Sequence, residues 1–111
     1  EFDCPLDFAG PGTYQCLGLG TAAVVVMDET VSMVDFLHNS CQFFAHESCG
    51  QCTPCRSGTE KAARLMEKDK WDTVALEDLA IVMADASICG LGQAAPNPLL
   101  SVLKYFPEHI K

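Results

Sequence analysis

Cys49-Gly50-Gln51-Cys52-Thr53-Pro54-Cys55 is the stretch on which the reading of this chain turns. It puts three thiols at i, i+3 and i+6 on a tight loop between two helical segments, where they can converge on one metal centre, with Cys89 supplying a fourth ligand from afar. Tetrahedral zinc more usually takes two separate ligand pairs, whereas a three-plus-one split suits a cuboidal [4Fe-4S] cluster whose four irons each take one thiolate. On spacing alone the cluster is favoured, and a structural zinc-binding interaction module or a set of disulfides stays open. A thioredoxin-like Cys-x2-Cys loop leaves the third and fourth cysteines without a role and lacks a surrounding βαβ pattern.

Helical periodicity flanks the loop on both sides. Upstream, Met33, Phe36, Leu37, Cys41 and Phe44 recur at helical spacing, and Ser32 with Asp35 resembles a capping box, which predicts a first helix over Met33 to His46. Downstream, Thr53 as N-cap with Pro54 in the first turn opens a second helix carrying Ala62, Ala63, Leu65 and Met66 to about Lys68. Trp71 and Asp72 fall in the following turn. Leu76, Leu79, Ala80, Val82 and Met83 define a third helix ending near Ser87, and Asn97-Pro98 starts a fourth that runs through Phe106 to Pro107. The expectation is an all-α fold, a small four-helix bundle, preceded by an N-terminal loop and one extended strand over the valine-rich run Ala22 to Met27. A lone strand needs sheet partners, which would lie outside these residues. Residues 1–30 are therefore expected to be a linker or extended segment from a missing upstream β domain, and 31–111 the helical cluster-binding domain.

Composition excludes several functions. The chain has 111 residues, 49% hydrophobic and 20% charged, with 15 Asp and Glu against 7 Lys and Arg and a formal net charge of -8. Phosphate contacts need cations, so nucleic acid and anionic lipid are poor partners and protein is the better one. No apolar run approaches the length of a membrane span, and no basic stretch precedes a hydrophobic one as in a signal peptide. The chain opens at Glu1 and not at methionine, which reads as a processed chain or a piece of a longer one. Seven cysteines are an odd number, so no all-disulfide scheme pairs every thiol.

Four thiolates on a cluster add negative charge to an acidic domain. Three features offset it: the N-terminus of the second helix beside the ligands, the glycines Gly50 and Gly90 that let backbone N–H groups approach sulfur, and Arg56, the first cation in the chain. The plainer role for Arg56 is a solvated residue paired with Glu60, and for Gly90 and Gly92 a C-terminal cap after Ser87. His46 reads as an exposed helix-end residue and Cys41 as a small core residue; Cys4 and Cys16 carry no assignment. Two G-x-G-x-x-A matches, at Gly18 and Gly90, do not link a strand to a helix, so neither is a dinucleotide fingerprint. No Ser-His-Asp set or carboxylate pair supports hydrolytic catalysis.

The run His46-Glu47-Ser48-Cys49-Gly50-Gln51-Cys52-Thr53-Pro54-Cys55-Arg56, followed by Ser87-Ile88-Cys89-Gly90-Leu91-Gly92 and Ala94-Ala95, resembles the C-terminal iron–sulfur domain of the NADH-binding flavoprotein (51 kDa-type) subunit of respiratory complex I. The same module occurs in NAD-linked hydrogenases and formate dehydrogenases. Leu19 to Asp28 resembles the family's link from a β domain into the helical domain, so the resemblance covers about Leu17 to Phe106. It implies Cys49, Cys52, Cys55 and Cys89 as ligands of one [4Fe-4S] cluster that takes electrons from FMN, itself reduced by NAD(H) in an upstream domain. It further implies a multi-subunit redox complex with a thioredoxin-like [2Fe-2S] subunit and a further iron–sulfur subunit as partners, in a soluble arm on the cytoplasmic or mitochondrial-matrix side. The chain departs from the family in holding no FMN or NADH loop, and in a segment between Cys55 and Cys89 that is shorter than usual. By itself it is expected to carry electrons without catalysing NADH oxidation.

Overall fold

The computed structural model describes residues 20–110, and the chain divides into two units, Glu1–Thr30 and Val31–Lys111. In the first unit the described residues, 20–30, contain no strand. Val24, Val25 and Val26 are exposed, Val26 to 90%. The strand expected over Ala22 to Met27 is therefore not formed, for the reason that a ladder needs a neighbour and the described residues offer none. Asp28 closes a local turn, accepting from the Thr30 hydroxyl at 2.5 Å and the Thr30 N–H at 2.9 Å, and these bonds hold its carboxyl below the usual range. Cys4, Cys16 and the first two residues of the glycine motif, Gly18 and Leu19, lie outside the described residues.

The second unit is all-α. Helix α1 spans Met33–Glu47, α2 Thr53–Met66, α3 Thr73–Ala86, the short α4 Gly90–Ala94 and α5 Asn97–Tyr105, followed by a 3-10 turn, Pro107–His109. The Ser32 hydroxyl accepts the Asp35 N–H at 3.2 Å and starts α1, and the Asp72 carboxylate accepts the Ala75 N–H at 3.1 Å and starts α3. Asp72 as cap brings the start of α3 ahead of the Leu76 expected from periodicity alone. Pro54 and Pro98 sit in the first turns of α2 and α5, where a missing N–H costs nothing. The cap of α2 is Cys52, one residue before the expected Thr53.

Each helix buries one stripe. Met33, Leu37 and Cys41 of α1, Ala62, Ala63 and Met66 of α2, Leu76 of α3, and Leu99 and Val102 of α5 meet with Trp71 in one core. Helix α2 packs on α1 and on α3, and α5 touches both α1 and α3, so the four longer helices close around that core. Phe36 and Phe44 lie half-buried at its margin, and Val82, expected inside, is exposed. At Gly58 a Cβ would come within 2.6 Å of Met83 Cγ, so the bare backbone of α2 lets α3 approach closely. Burial pushes the Cys41 thiol up to about 11, as expected of a core residue that stays protonated.

Trp71 joins the turn between α2 and α3 to the core. It is 4% exposed, and its indole N–H donates to the Met66 carbonyl at 2.9 Å, a helix-end acceptor with no partner inside the helix. Trp71→Ala should therefore destabilise the domain by about 3–5 kcal/mol. Trp71→Phe, which keeps an aromatic ring but strands that carbonyl, should cost about 1–3 kcal/mol. Urea unfolding followed by helical circular dichroism measures both; a Trp71→Phe variant as stable as the parent chain would show that the indole hydrogen bond contributes nothing.

Candidate metal centre

The thiols of the sequence motif occupy the joints of the bundle. Cys49 is exposed in the loop after α1, Cys52 is half-buried as the residue preceding α2, and Cys55 is buried one turn into α2. Cys89 is exposed as the residue preceding α4. All five described cysteines are free thiols.

Close packing brings the two cysteine segments together. A Cβ on Gly92, within α4, would lie 2.4 Å from the Ser87 hydroxyl oxygen and 2.8 Å from Cys55 Cβ, so α4 rests against the first turn of α2 with no room for a side chain. On the other side, the Ile88 N–H and then the Cys55 N–H face the Cys52 sulfur and hold its thiol below the ordinary value. Cys89 follows directly on Ile88. Thus Cys52, Cys55 and the turn that bears Cys89 share one neighbourhood, and Cys49 is carried beside them by the loop.

That loop is shaped by Gly50, whose φ of +75° lies in the left-handed region glycine adopts freely. Arg56 reaches back from α2 to donate to the Gly50 carbonyl and, at 3.3 Å, to the Thr53 hydroxyl oxygen. Glu60 pairs instead with Arg64 at 3.9 Å, so the plainer Arg56–Glu60 reading is replaced by a clamp across the cysteine loop. Ser48, which ends α1, places its hydroxyl 3.3 Å from the Cys55 sulfur while accepting the Gly50 N–H at 3.3 Å. His46 is exposed at the helix end, as expected.

Three features were not read from sequence. Gly90 and Gly92 do not cap α3. The cap is Ser87, whose N–H bonds Met83 at 3.2 Å, and the glycines begin a helical turn of their own without positive φ. Gly92 is where the backbone approach is close, whereas a Cβ on Gly90 would meet nothing. Ser48 and Ser87 sit one and two residues before ligand-type cysteines, a position that hints at a role without fixing one.

The donor chemistry of the site, free thiols at its joints, suits an iron–sulfur cluster. Among the described residues no three His, Cys, Asp or Glu side chains gather around one point. The Ser87 hydroxyl, buried at this junction outside full hydrogen-bonding geometry, is turned toward the Cys52 sulfur and adds weakly to what holds that thiol down.

Comparison with known proteins agrees with that chemistry. Residues 35–111 match the NADH-ubiquinone oxidoreductase-F iron-sulfur binding region. A subunit of the NADH-quinone oxidoreductase of Streptomyces coelicolor is 42% identical, over 97% of this chain and 25% of its own length. The mitochondrial NADH-ubiquinone oxidoreductase 51 kDa subunit of Aspergillus niger is 37% identical, over 82% of this chain and 20% of its own. An NAD+-reducing [NiFe]-hydrogenase, solved in its H2-reduced state, superposes with a TM-score of 0.71 at 37% identity, covering 76% of this chain and 16% of that one. The chain thus spans about a quarter or less of the length of the relatives it matches.

Gly92→Ala should destabilise the domain by about 1–3 kcal/mol, because Cys55 Cβ is anchored to its own backbone and cannot swing away. Gly90→Ala should leave unfolding of the cluster-free domain unchanged, and urea titrations compare the two. A second outcome concerns thiol reactivity. In the folded, reduced, cluster-free protein at pH 8, iodoacetamide should modify Cys52 and spare Cys41. A lowered pKa raises the thiolate fraction, and one near 11 leaves only about a thousandth of the thiol ionised three units below it. Peptide mass mapping reads the order, and preferential labelling of Cys41 would contradict the burial argument.

Proposed function

The chain belongs to the family of the NADH-ubiquinone oxidoreductase-F iron-sulfur binding region, and from that premise we propose that Cys49, Cys52, Cys55 and Cys89 are the four ligands of one [4Fe-4S] cluster. The family supports an iron–sulfur cluster and an electron-transfer role in a subunit of a larger oxidoreductase. A cluster held by these thiolates would supply one-electron uptake and release, suited to a relay from FMN in an NADH-oxidising part of the protein to further iron–sulfur carriers. Residues 31–111 form the cluster-binding domain on this reading, and 1–30 link it to an upstream β domain that holds FMN and NAD(H). Its partners are other subunits of the complex, including a thioredoxin-like [2Fe-2S] subunit and a further iron–sulfur subunit. Among the described residues no helix is long and apolar enough to cross a membrane, and the domain is assigned to a soluble arm on the cytoplasmic or matrix side.

One observation supports the ligand assignment: Gly92 packs against Cys55 and Ser87, which brings the turn bearing Cys89 to the first turn of α2, beside the loop that bears Cys49 and Cys52. The chain's own groups then make a place for negative sulfur. The 14-residue helix α2 begins at Thr53, so its positive end faces the thiolates. The Ile88 and Cys55 N–H groups face Cys52, and the Arg56 clamp keeps a cation and the turn at Gly50 fixed beside them. Ligation converts each thiol to a thiolate and releases its proton, so iron uptake should be favoured by rising pH.

Cys52→Ser and Cys89→Ser should each lose iron and labile sulfide, and Cys41→Ala, altered only in the core, should retain both. Iron and sulfide analysis of anaerobically purified protein, with low-temperature EPR after reduction, measures this. Equal iron content in all three would remove the ligand assignment, and stoichiometric zinc without sulfide would favour the structural zinc module.

A further inference from the structure

Ser48 lies beside the ligand set at the end of α1. It ends α1 through its backbone, the Ser48 N–H donating to the Phe44 carbonyl at 3.0 Å, so capping leaves its side chain free. The hydroxyl sits between two groups, the Cys55 sulfur at 3.3 Å and the Gly50 N–H at 3.3 Å. An N–H can only donate, so the Ser48 oxygen accepts from Gly50 and its single proton remains to be placed. A neutral Cys55 could itself donate to Ser48. A thiolate has no proton, so once Cys55 is a ligand the only bond available between the two runs from the Ser48 O–H to the sulfur.

We propose that Ser48 is a potential-setting residue: its hydroxyl donates to the Cys55 thiolate and makes uptake of an electron at the thiolate-bound centre more favourable. The proposal rests on the reading of Cys55 as a ligand. Gain of an electron makes the site more negative by one charge, and a hydrogen bond to ligand sulfur stabilises the more negative state. Cys55 is 5% exposed, so the bond acts in a poorly solvated place where it is weakly screened. The positive φ of Gly50 and the Arg56 clamp on the Gly50 carbonyl hold the N–H that orients the serine. Ser87 also faces a sulfur, that of Cys52, but only as the weakest of the groups acting on it and outside full hydrogen-bonding geometry, so Ser48 carries the inference.

The test is an EPR-monitored redox titration of the full chain loaded anaerobically with iron and sulfide, compared with Ser48→Ala and Ser48→Thr. Ser48→Ala should keep its iron, sulfide and reduced EPR signal. Its ratio of reduced to oxidised centres at a given ambient potential should fall three- to tenfold, equivalent to a midpoint lower by ~28–59 mV for one electron. Ser48→Thr, which keeps a hydroxyl, should remain near the parental midpoint. A parental midpoint in Ser48→Ala overturns the proposal and leaves the ligand assignment standing. Loss of iron from Ser48→Ala makes the side chain a structural part of the loop and overturns it too. Absence of any [4Fe-4S] signal in the parental chain, by contrast, removes the ligand assignment and the proposal with it.

Discussion

The contact on which the candidate site depends is the one at Gly92. Cys55 and Cys89 are far apart in the chain, and what joins their surroundings is the seating of α4 against the first turn of α2, with Ser87 and Cys55 filling the space a side chain on Gly92 would need. Everything else in the helical domain can be read as support for that seating. Helix α3 carries the chain from Trp71 to Ser87, and Gly58 lets it lie close to α2, so that its end delivers Ile88 and Cys89 beside Cys52. A methyl group on Gly92 would push α4 away from Cys55, whereas one on Gly58 would press on the Met83 side chain.

The electrostatics follow the same logic on a smaller scale. A chain of net charge -8 is a poor place for anionic sulfur unless nearby dipoles and cations compensate. Compensation here comes from short-range, directional groups. N–H groups from two different segments face Cys52, a hydroxyl lies beside Cys55, and the start of α2 and the Arg56 guanidinium lie over the loop. These groups belong to the same joints that carry the cysteines, so the packing that positions the one positions the other. The buried Cys41, by contrast, has only desolvation acting on it and stays a thiol, which is why a core cysteine and a ligand-type cysteine of the same chain differ so widely in acidity.

Much of this was written in local pattern. The Ser32 cap, the prolines at 54 and 98 and the apolar stripes are interactions within a few residues, and they located the four longer helices to within a turn, while the equally local Asp72 cap went unread. The spacing of Cys49, Cys52 and Cys55, with the residues around them, was enough to suggest an iron–sulfur centre, because three soft ligands in seven residues have few other uses. The valine run misled for a physical reason. Strand propensity describes a surface that fits a pleated neighbour, and with no neighbour among the described residues Val24 to Val26 stay exposed.

The sequence by itself determined the helices, the all-α class and the chemical type of the site, since capping, periodicity and thiolate density act over short stretches of chain. Only the tertiary structure decided which glycine matters, where Arg56 points and which hydroxyl meets which sulfur. Gly90 and Gly92 are alike in sequence, yet one faces open space and the other a packed contact. Arg56 has a carboxylate four residues on and still turns back to the Gly50 carbonyl, because the loop it closes offers fixed acceptors near the start of its own helix while Glu60 pairs with Arg64. Ser48 meets Cys55 across seven residues and Ser87 packs near it across thirty-two. Such meetings depend on how helices seat against one another, and no local pattern encodes that distance.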